Sequence, residues 1–323
     1  MIDKFGRQIK YLRLSVTDRC DLRCKYCLPK GFKDFTEAEK TLSFNEIEHI
    51  AALFAQFGVE HLRITGGEPL VRKDIDQLIA RLSEVQGISD LSLSTNAVRL
   101  GKLAEKLKRA GLHRLNVSLD TLNEQRYADL TGGKLSKVLN GLEEARKAGL
   151  VPIKINCVLM KDVNDNEVER MLDYCAQRDF TLRLIETMPI GNTGRSAQTK
   201  YLSLESVKQK LQQKYNLIPD VMPGAGPARY FRLQGSSTKI GFITPISQHF
   251  CETCNRLRLS CEGDIYTCLG DETRCPLGAF LRQGCQDEEL IEHIRRAIDL
   301  KPEKHEFLNK QKRIVRFMAM TGG

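Results

Sequence analysis

The chain has 323 residues, with 50 Lys and Arg against 41 Asp and Glu, for a formal charge of +9. That length supports an ordinary core in one large domain, or in a large one with a smaller companion, and excludes a small stapled scaffold. The positive excess favours an anionic partner, but the charges are spread along the chain and form no basic tail of the kind that grips nucleic acid.

Eleven cysteines is a high count. The N-terminal MIDKFGRQIK has no apolar leader, and no later run is long enough to cross a bilayer, so no membrane partner is expected. The expectation is a cytoplasmic protein in a reducing compartment, where clustered thiols serve metals or catalysis more often than disulfides.

The first predicted strand is YLRLSVT (11–17), and CDLRCKYC follows it directly, placing Cys20, Cys24 and Cys27 within eight residues. A structural zinc site wants four protein ligands, and a cubane cluster also has four corners. Three thiolates leave one position open. A zinc site completed from elsewhere in the chain is the alternative, although zinc motifs usually come as paired C-x2-C units.

Ser43-Phe44-Asn45-Glu46 then matches a capping box, with Ile47, Ile50, Ala51 and Phe54 at helical spacing. Strand HLRIT (61–65) ends on Thr65-Gly66-Gly67-Glu68-Pro69, where paired glycines permit a tight turn or a close backbone approach. Asp74 opens a helix with Ile75, Leu78, Ile79 and Leu82 on one face. Strand DLSLST (90–95) precedes a helix stopped by Gly111, strand HRLNVSLD (113–120) a helix stopped by Gly149, and strand PIKINCVLM (152–160) a helix capped by Asn164 or Asn166. Strand TLRLIET (181–187) is the sixth. Six strand-then-helix units predict parallel strands with right-handed crossovers, and chemistry at the strands' C-terminal ends.

Four of these strands carry a cation among apolar residues: Arg13, Arg63, Lys154 and Arg183. In a doubly covered sheet each would be buried unpaired, which costs several kcal/mol. In a barrel, alternate residues face the lumen, where the four cations can converge on a polyanion. Pairing with internal carboxylates is the other explanation. The segment 188–238 is broken by Gly and Pro and reads as linking loops around one helix, after which KIGFITPI (239–246) starts a second region. The expected division is 1–198 and 199–323.

That second region holds Cys251-Glu252-Thr253-Cys254-Asn255-Arg256-Leu257-Arg258, then Cys261, Cys268, Cys275 and Cys285. Spacing alone does not decide which later cysteines join the pair, and a zinc ribbon or a nucleic-acid binder remains open on it. Cys157 and Cys175 read as core residues, and His249 as a surface or core residue. The tail RFMAMTGG is mobile by default.

C-x3-C-x2-C after strand one, with GGEP after strand two, resembles the radical S-adenosylmethionine (SAM) enzymes. YLRLSVTDRC, RITGGEPLVR, LNVSLDTL, KINCVLMKDVN, RLIETMPIG, FCETCNRLRLS and the terminal Gly322-Gly323 resemble the GTP 3′,8-cyclase family of molybdenum cofactor biosynthesis. The resemblance implies a partial (β/α)6 TIM-like barrel with a C-terminal α+β extension, and a lyase that turns GTP into 3′,8-cyclo-7,8-dihydro-GTP. It implies two 4Fe-4S clusters, one on Cys20, Cys24 and Cys27 that chelates SAM, the other on Cys251, Cys254 and Cys268 that meets guanine. By position it assigns SAM contacts to Tyr26, Gly67, Ser118 and Met188. GTP contacts fall to Arg13, Arg63, Ser94, Lys154, Arg183 and the stretch Arg256, Leu257, Arg258, with Arg256, Arg258, Gly322 and Gly323 assisting catalysis. It implies an electron donor such as flavodoxin or ferredoxin and no nucleic acid; the oligomeric state is open, a homodimer among the options. Where the family usually reads TTNG, this chain has Ser94-Thr95-Asn96-Ala97, which alters the glycine turn.

Overall fold

The structure is a computed structural model that describes residues 1–222, 226–307, 309 and 313–322. Its strands are β1 (Tyr11–Ser15), β2 (His61–Thr65), β3 (Asp90–Thr95), β4 (Arg114–Ser118), β5 (Ile153–Leu159), β6 (Thr181–Glu186), β7 (Leu217–Asp220), β8 (Arg229–Leu233), β9 (Lys239–Ile243), β10 (Arg256–Leu259), β11 (Asp264–Tyr266) and β12 (Arg274–Pro276). The helices are α1 (Phe44–Gln56), α2 (Ile75–Ser83), α3 (Leu100–Arg109), α4 (Glu124–Thr131), α5 (Leu135–Lys147), α6 (Val168–Ala176), α7 (Gly191–Ala197), α8 (Leu204–Tyr215), α9 (Leu277–Arg282), α10 (Asp287–Asp299) and α11 (Met318–Thr321).

All strands share one open sheet in the order β12-β11-β10-β1-β2-β3-β4-β5-β6-β9-β8-β7, parallel from β10 through β9 and antiparallel at both rims. Period two sorts each parallel strand. Leu12 and Leu14, Leu62 and Ile64, and Leu182 and Leu184 lie in the core under the helices, each contributing roughly 1.5–3 kcal/mol by burial. Ser43 caps α1 in the expected box, accepting from Glu46 N while Glu46 accepts from Ser43 N. Asn164 caps nothing. It accepts from Met160 N at 2.8 Å and donates to Asp120 O and Val158 O, so its amide ties the end of β5 to the turn after β4. Ala97, in the altered turn, has φ 62°, a left-handed conformation that Gly adopts more easily.

The segment after β6 departs from the expected linking loops. Leu217–Asp220 and Arg229–Leu233 form a hairpin that joins the sheet through β9. Pro219 hides β7 from a strand reading, and β7 takes the one place where such a proline is tolerated, the sheet's edge. Residues after 198 therefore extend both rims of the same sheet. Because β9 and β10 stand at opposite ends of the parallel run, the connector 244–255 must bridge the barrel's open side. That connector carries Cys251 and Cys254.

Candidate functional site

The lumen has two storeys, set by strand register. Arg13 is paired with Arg63 and Arg258, and Arg63 with Ser92; two residues further along, Ser15 is paired with Thr65. On β5 the same step leads from Lys154 to Asn156, and on β4 from Arg114 through Asn116 to Ser118. Cations thus occupy the half nearer the strands' N-terminal ends, while hydroxyls and amides occupy the other.

At the C-terminal ends, Cys20, Cys24, Cys27, Tyr26, Gly67, Ser94, Ser118 and Met188 line one cavity of about 180 Å³. The cysteine loop is fastened to α4 and its end by Lys25 N donating to Leu130 O at 3.0 Å and Arg23 N to Thr131 O at 2.8 Å. Tyr26 donates to Asp120 Oδ2 at 2.6 Å, and burial pushes the Asp120 carboxyl up to about 6. A Cβ on Gly67 would stand 2.5 Å from Arg19 O and 2.6 Å from Asp18 O, so glycine is required by the neighbouring cysteine loop. Gly67 N and Glu68 N donate to Thr17 O and Arg19 O, both at 2.8 Å. Those amides face away from a ligand; what the Gly pair can still offer one is carbonyl oxygen.

The donor set fits an iron-sulfur cluster. All eleven cysteines are free. Burial pushes the Cys20 thiol up to about 12, the Cys27 thiol up to about 11 and the Cys24 thiol well above its usual range, so a bound cation is needed to displace the protons. Among the described residues no three His, Cys, Asp or Glu side chains gather tightly enough to hold a single ion. Thiols spread around a cavity suit the separate corners of a cluster.

Toward the other end, Arg63, Arg114, Lys154 and Arg183 line a cavity of about 430 Å³, closed by Asp220 and Tyr230 of the β7–β8 hairpin. Arg63 donates to Ser92 Oγ at 3.3 Å and lies 5.2 Å over the Tyr11 ring; Arg183 donates to Asn116 Oδ1. Among the described residues Arg114 finds a carboxylate, Asp90, whereas Arg13, Arg63 and Arg183 find none within 4.0 Å. Arg13 Nε, Arg183 Nε, Tyr11 Oη, Ser94 Oγ and Asn156 Oδ1 are buried without any partner. Internal pairing with carboxylates therefore does not explain Arg13, Arg63 or Arg183. Burial, with Arg183, Arg114 and Arg63 beside it, brings the Lys154 ammonium down to about 7.

The second thiol set stands at this same end. Cys254 precedes β10, whose Arg256 is in register with Tyr11, and Cys268 follows β11. Burial works against the Cys254 thiolate, but Arg256 and Lys301 outweigh it and bring the thiol down to about 6. Lys301 Nζ donates to Thr267 O at 2.5 Å, Arg256 O at 2.9 Å and Cys254 Sγ at 3.6 Å. Arg7, paired with Asp3 at 2.6 Å, donates to Cys251 O at 2.9 Å and so braces the loop. Cys261 lies beyond the other end of β10, where its Sγ donates to Thr36 Oγ1 at 3.7 Å. Cys275 Sγ donates to His293 O, and Cys285 packs on the core's margin.

The tail is folded into the site. Met318 and Ala319 line the upper cavity, and Arg258 donates to Thr321 O at 3.2 Å and to Gly322 O. A Cβ on Gly322 would overlap Thr65 Oγ1, so only glycine threads this gap. Gly323 lies outside the described residues.

Residues 14–175 match the Radical SAM superfamily, and residues 180–307 match Molybdenum Cofactor Synthesis C. A GTP 3′,8-cyclase of Nitrobacter hamburgensis is 42% identical over 330 residues, spanning 100% of this chain and 96% of the relative. One of Listeria welshimeri is 44% identical over 95% of this chain and 92% of the relative. The chain belongs to the GTP 3′,8-cyclase family. Streptococcus suis SuiB, solved bound to S-adenosylmethionine, shares the fold at TM-score 0.65 and 18% identity, over 96% of this chain and 76% of that one.

Within this cyclase family member, the residues expected to meet SAM line the upper cavity, and Arg63, Lys154 and Arg183 line the lower one. Leu257 can meet a ligand in the lumen only through its backbone. Strand alternation turns its side chain into the core, fully buried, while Arg256 and Arg258 take the other face. Arg114, Tyr11, Asp120 and Lys301 were not anticipated. Counting back by two from Asn116 to Arg114, and from Arg13 to Tyr11, is the signal that would have found the first two; Lys301 leaves none.

Proposed function

We propose that this chain is a radical SAM GTP 3′,8-cyclase, producing 3′,8-cyclo-7,8-dihydro-GTP for molybdenum cofactor biosynthesis. One observation carries the reading: two three-cysteine sets stand at opposite ends of a single lumen in which, among the described residues, Arg13, Arg63 and Arg183 have no carboxylate within 4.0 Å. Cys20, Cys24 and Cys27 would hold the first cluster, and Cys251, Cys254 and Cys268 the second. Together with SAM and an electron from a donor protein, the first centre supplies hydrogen-abstracting radical chemistry when bound.

The chain's own residues bind, orient and shield. Gly66 and Gly67 carbonyls suit the SAM amino group, and Tyr26, fixed by Asp120, with Ser118 and Met188 walls its remainder. Arg63, Lys154 and Arg183, with Arg13, neutralise the triphosphate and hold the ribose toward the upper cavity, where Ser94 stands. Arg256 and Arg258 keep the guanine end beside the second thiol set. Positioning and exclusion of water are the protein's main contributions to such chemistry. Residues 1–198 supply the SAM half, and 199–323 the second thiol set, the hairpin floor and the tail.

The test is anaerobic reconstitution, with 5′-deoxyadenosine formed under reductant and stimulated by GTP over ATP. Absence of that stimulation would remove GTP as substrate. A pH signature accompanies it. With Lys154 near 7 when no anion is bound, triphosphate restores its charge, so binding takes up a proton above neutrality. Above about pH 7.5, where the triphosphate is itself fully ionised, the GTP dissociation constant should rise by up to about tenfold per pH unit. Lys154→Arg should flatten that slope in calorimetric titrations; an equal slope in both proteins would assign it elsewhere.

A further inference from the structure

A groove of about 1020 Å³ lies outside the lumen, beside the loop of Cys20, Cys24 and Cys27. Leu22, 6% exposed, lines both this groove and the upper cavity. Its backbone N–H donates to Cys20 Sγ at 3.4 Å. The wall between groove and thiols is therefore one buried leucine. A polar chain makes the same crossing: Arg99 on the groove donates to Asp21 at 3.1 Å, and Asn96 donates to Asp21 at 2.8 Å and to Cys20 Sγ at 3.9 Å.

The groove is basic on balance: six of its lining residues are Lys or Arg, and three, Asp21, Asp74 and Asp76, are acidic. Lys73, Arg99, Lys102, Lys134 and Lys137 line it and are exposed, and among the described residues the four lysines form no ion pair. One wall is the start of α2, where Asp74 and Asp76 stand, and two others are the opening turns of α3 and α5. Arg99 and Lys134 occupy the capping positions, Lys102 and Lys137 fall in or beside the first turns, and neither helix has an acidic residue there. A helix's N-terminal end is already positive, so cations are disfavoured there and acids preferred. Helix stability does not account for this placement. A negatively charged partner does, since both helix ends and the lysines then attract it together.

We infer that this groove docks an acidic one-electron donor protein of the flavodoxin kind, and that the electron enters past Leu22. The inference rests on the proposed function. The reduced flavin of the donor would lose one electron and a cluster held by Cys20, Cys24 and Cys27 would gain it; no bond would form or break and no proton or group would cross.

The test uses the full chain with Lys102→Glu, Lys134→Glu and Lys137→Glu combined. Flavodoxin binding, followed by fluorescence anisotropy on both cluster-free and cluster-loaded protein, should weaken by at least about tenfold, and wild-type binding should fall as salt rises. The KM for reduced flavodoxin should rise in step, while dithionite-driven 5′-deoxyadenosine formation and GTP affinity stay at wild-type values. Unchanged flavodoxin binding and KM would overturn the groove assignment, as would an RNA oligomer that outcompetes flavodoxin for the wild-type chain. If wild-type protein fails with dithionite as well, the proposed function has failed instead. Should the triple variant unfold by circular dichroism, the single Lys137→Glu change, at an exposed helical position, must still lower flavodoxin affinity severalfold; no change there also overturns the assignment.

Discussion

Cys24→Ser is expected to reduce 5′-deoxyadenosine formation to background, while about four of about eight irons remain on each chain. The loop's shape does not depend on the sulfur. Cys27 N and Leu28 N donate to the Cys24 carbonyl at 2.9 and 3.2 Å, and Arg23 N and Lys25 N hold the loop to residues 130 and 131. Serine keeps every one of those bonds, so far-UV circular dichroism and the unfolding midpoint should barely move. What it removes is a soft thiolate from a set of three, for which a hydroxyl is a poor substitute. The second thiol set is unaffected, because Cys251, Cys254 and Cys268 stand at the other end of the lumen with Lys301 and Arg256. A variant that kept all its iron and its SAM cleavage would remove Cys24 from the ligand set and with it the proposed upper site. Loss of iron from both sets would instead mean that the two loops fold as one unit.

Much of this arrangement was legible in the sequence because its two strongest signals are local. A strand that places Arg13 between Leu12 and Leu14, or Arg183 between Leu182 and Leu184, needs a polar interior on one face and an apolar one on the other. Only a curved sheet with a wet lumen supplies both. Cys20, Cys24 and Cys27 lie on one loop, so spacing alone brings them near each other. What stayed hidden depends on contacts distant in sequence. Nothing in LIPD or ARYFRL announces that β7 and β8 will floor the lumen, because Pro219 and the charged residues weaken the strand pattern and pairing comes only from β9. That residues after 198 supply both rims of the sheet is a property of topology. The upper cavity lies at the strands' C-terminal ends, where chemistry was expected to gather. The lower one lies nearer their N-terminal ends, at a level that strand-end reasoning does not reach. Lys301 follows α10, 47 residues past Cys254, and only the fold brings them to 3.6 Å.

Arg258→Ala is expected to lower turnover by about a hundredfold or more, the usual cost of removing one preorganised charged donor from an active site, with little loss of global stability. Two effects on folding oppose each other. The guanidinium donates to Thr321 O and Gly322 O, and charged hydrogen bonds of this kind contribute about 1.5–3 kcal/mol. Against that, burial and the neighbouring Arg13, Arg256 and Arg316 hold Arg258 well below the usual guanidinium range, so its charge is unfavourable where it sits. Removing it relieves repulsion among four cations while releasing only the last turn of the chain. The net change in unfolding free energy should stay within about 1 kcal/mol, since the released segment is terminal and the core strands are untouched. Hydrogen exchange should therefore rise in residues 317–322 and not in β1 or β10. SAM should still bind, because Met318 and Ala319 are the only tail residues lining the upper cavity among the described ones. Arg258→Lys retains the charge but lacks the planar guanidinium whose Nη1 serves both carbonyls, so its turnover should fall between the two. Wild-type turnover in Arg258→Ala, with exchange raised in the tail, would separate the tail from catalysis. Unchanged exchange would show that Thr65 and the walls of the lumen hold Gly322 without help from the arginine.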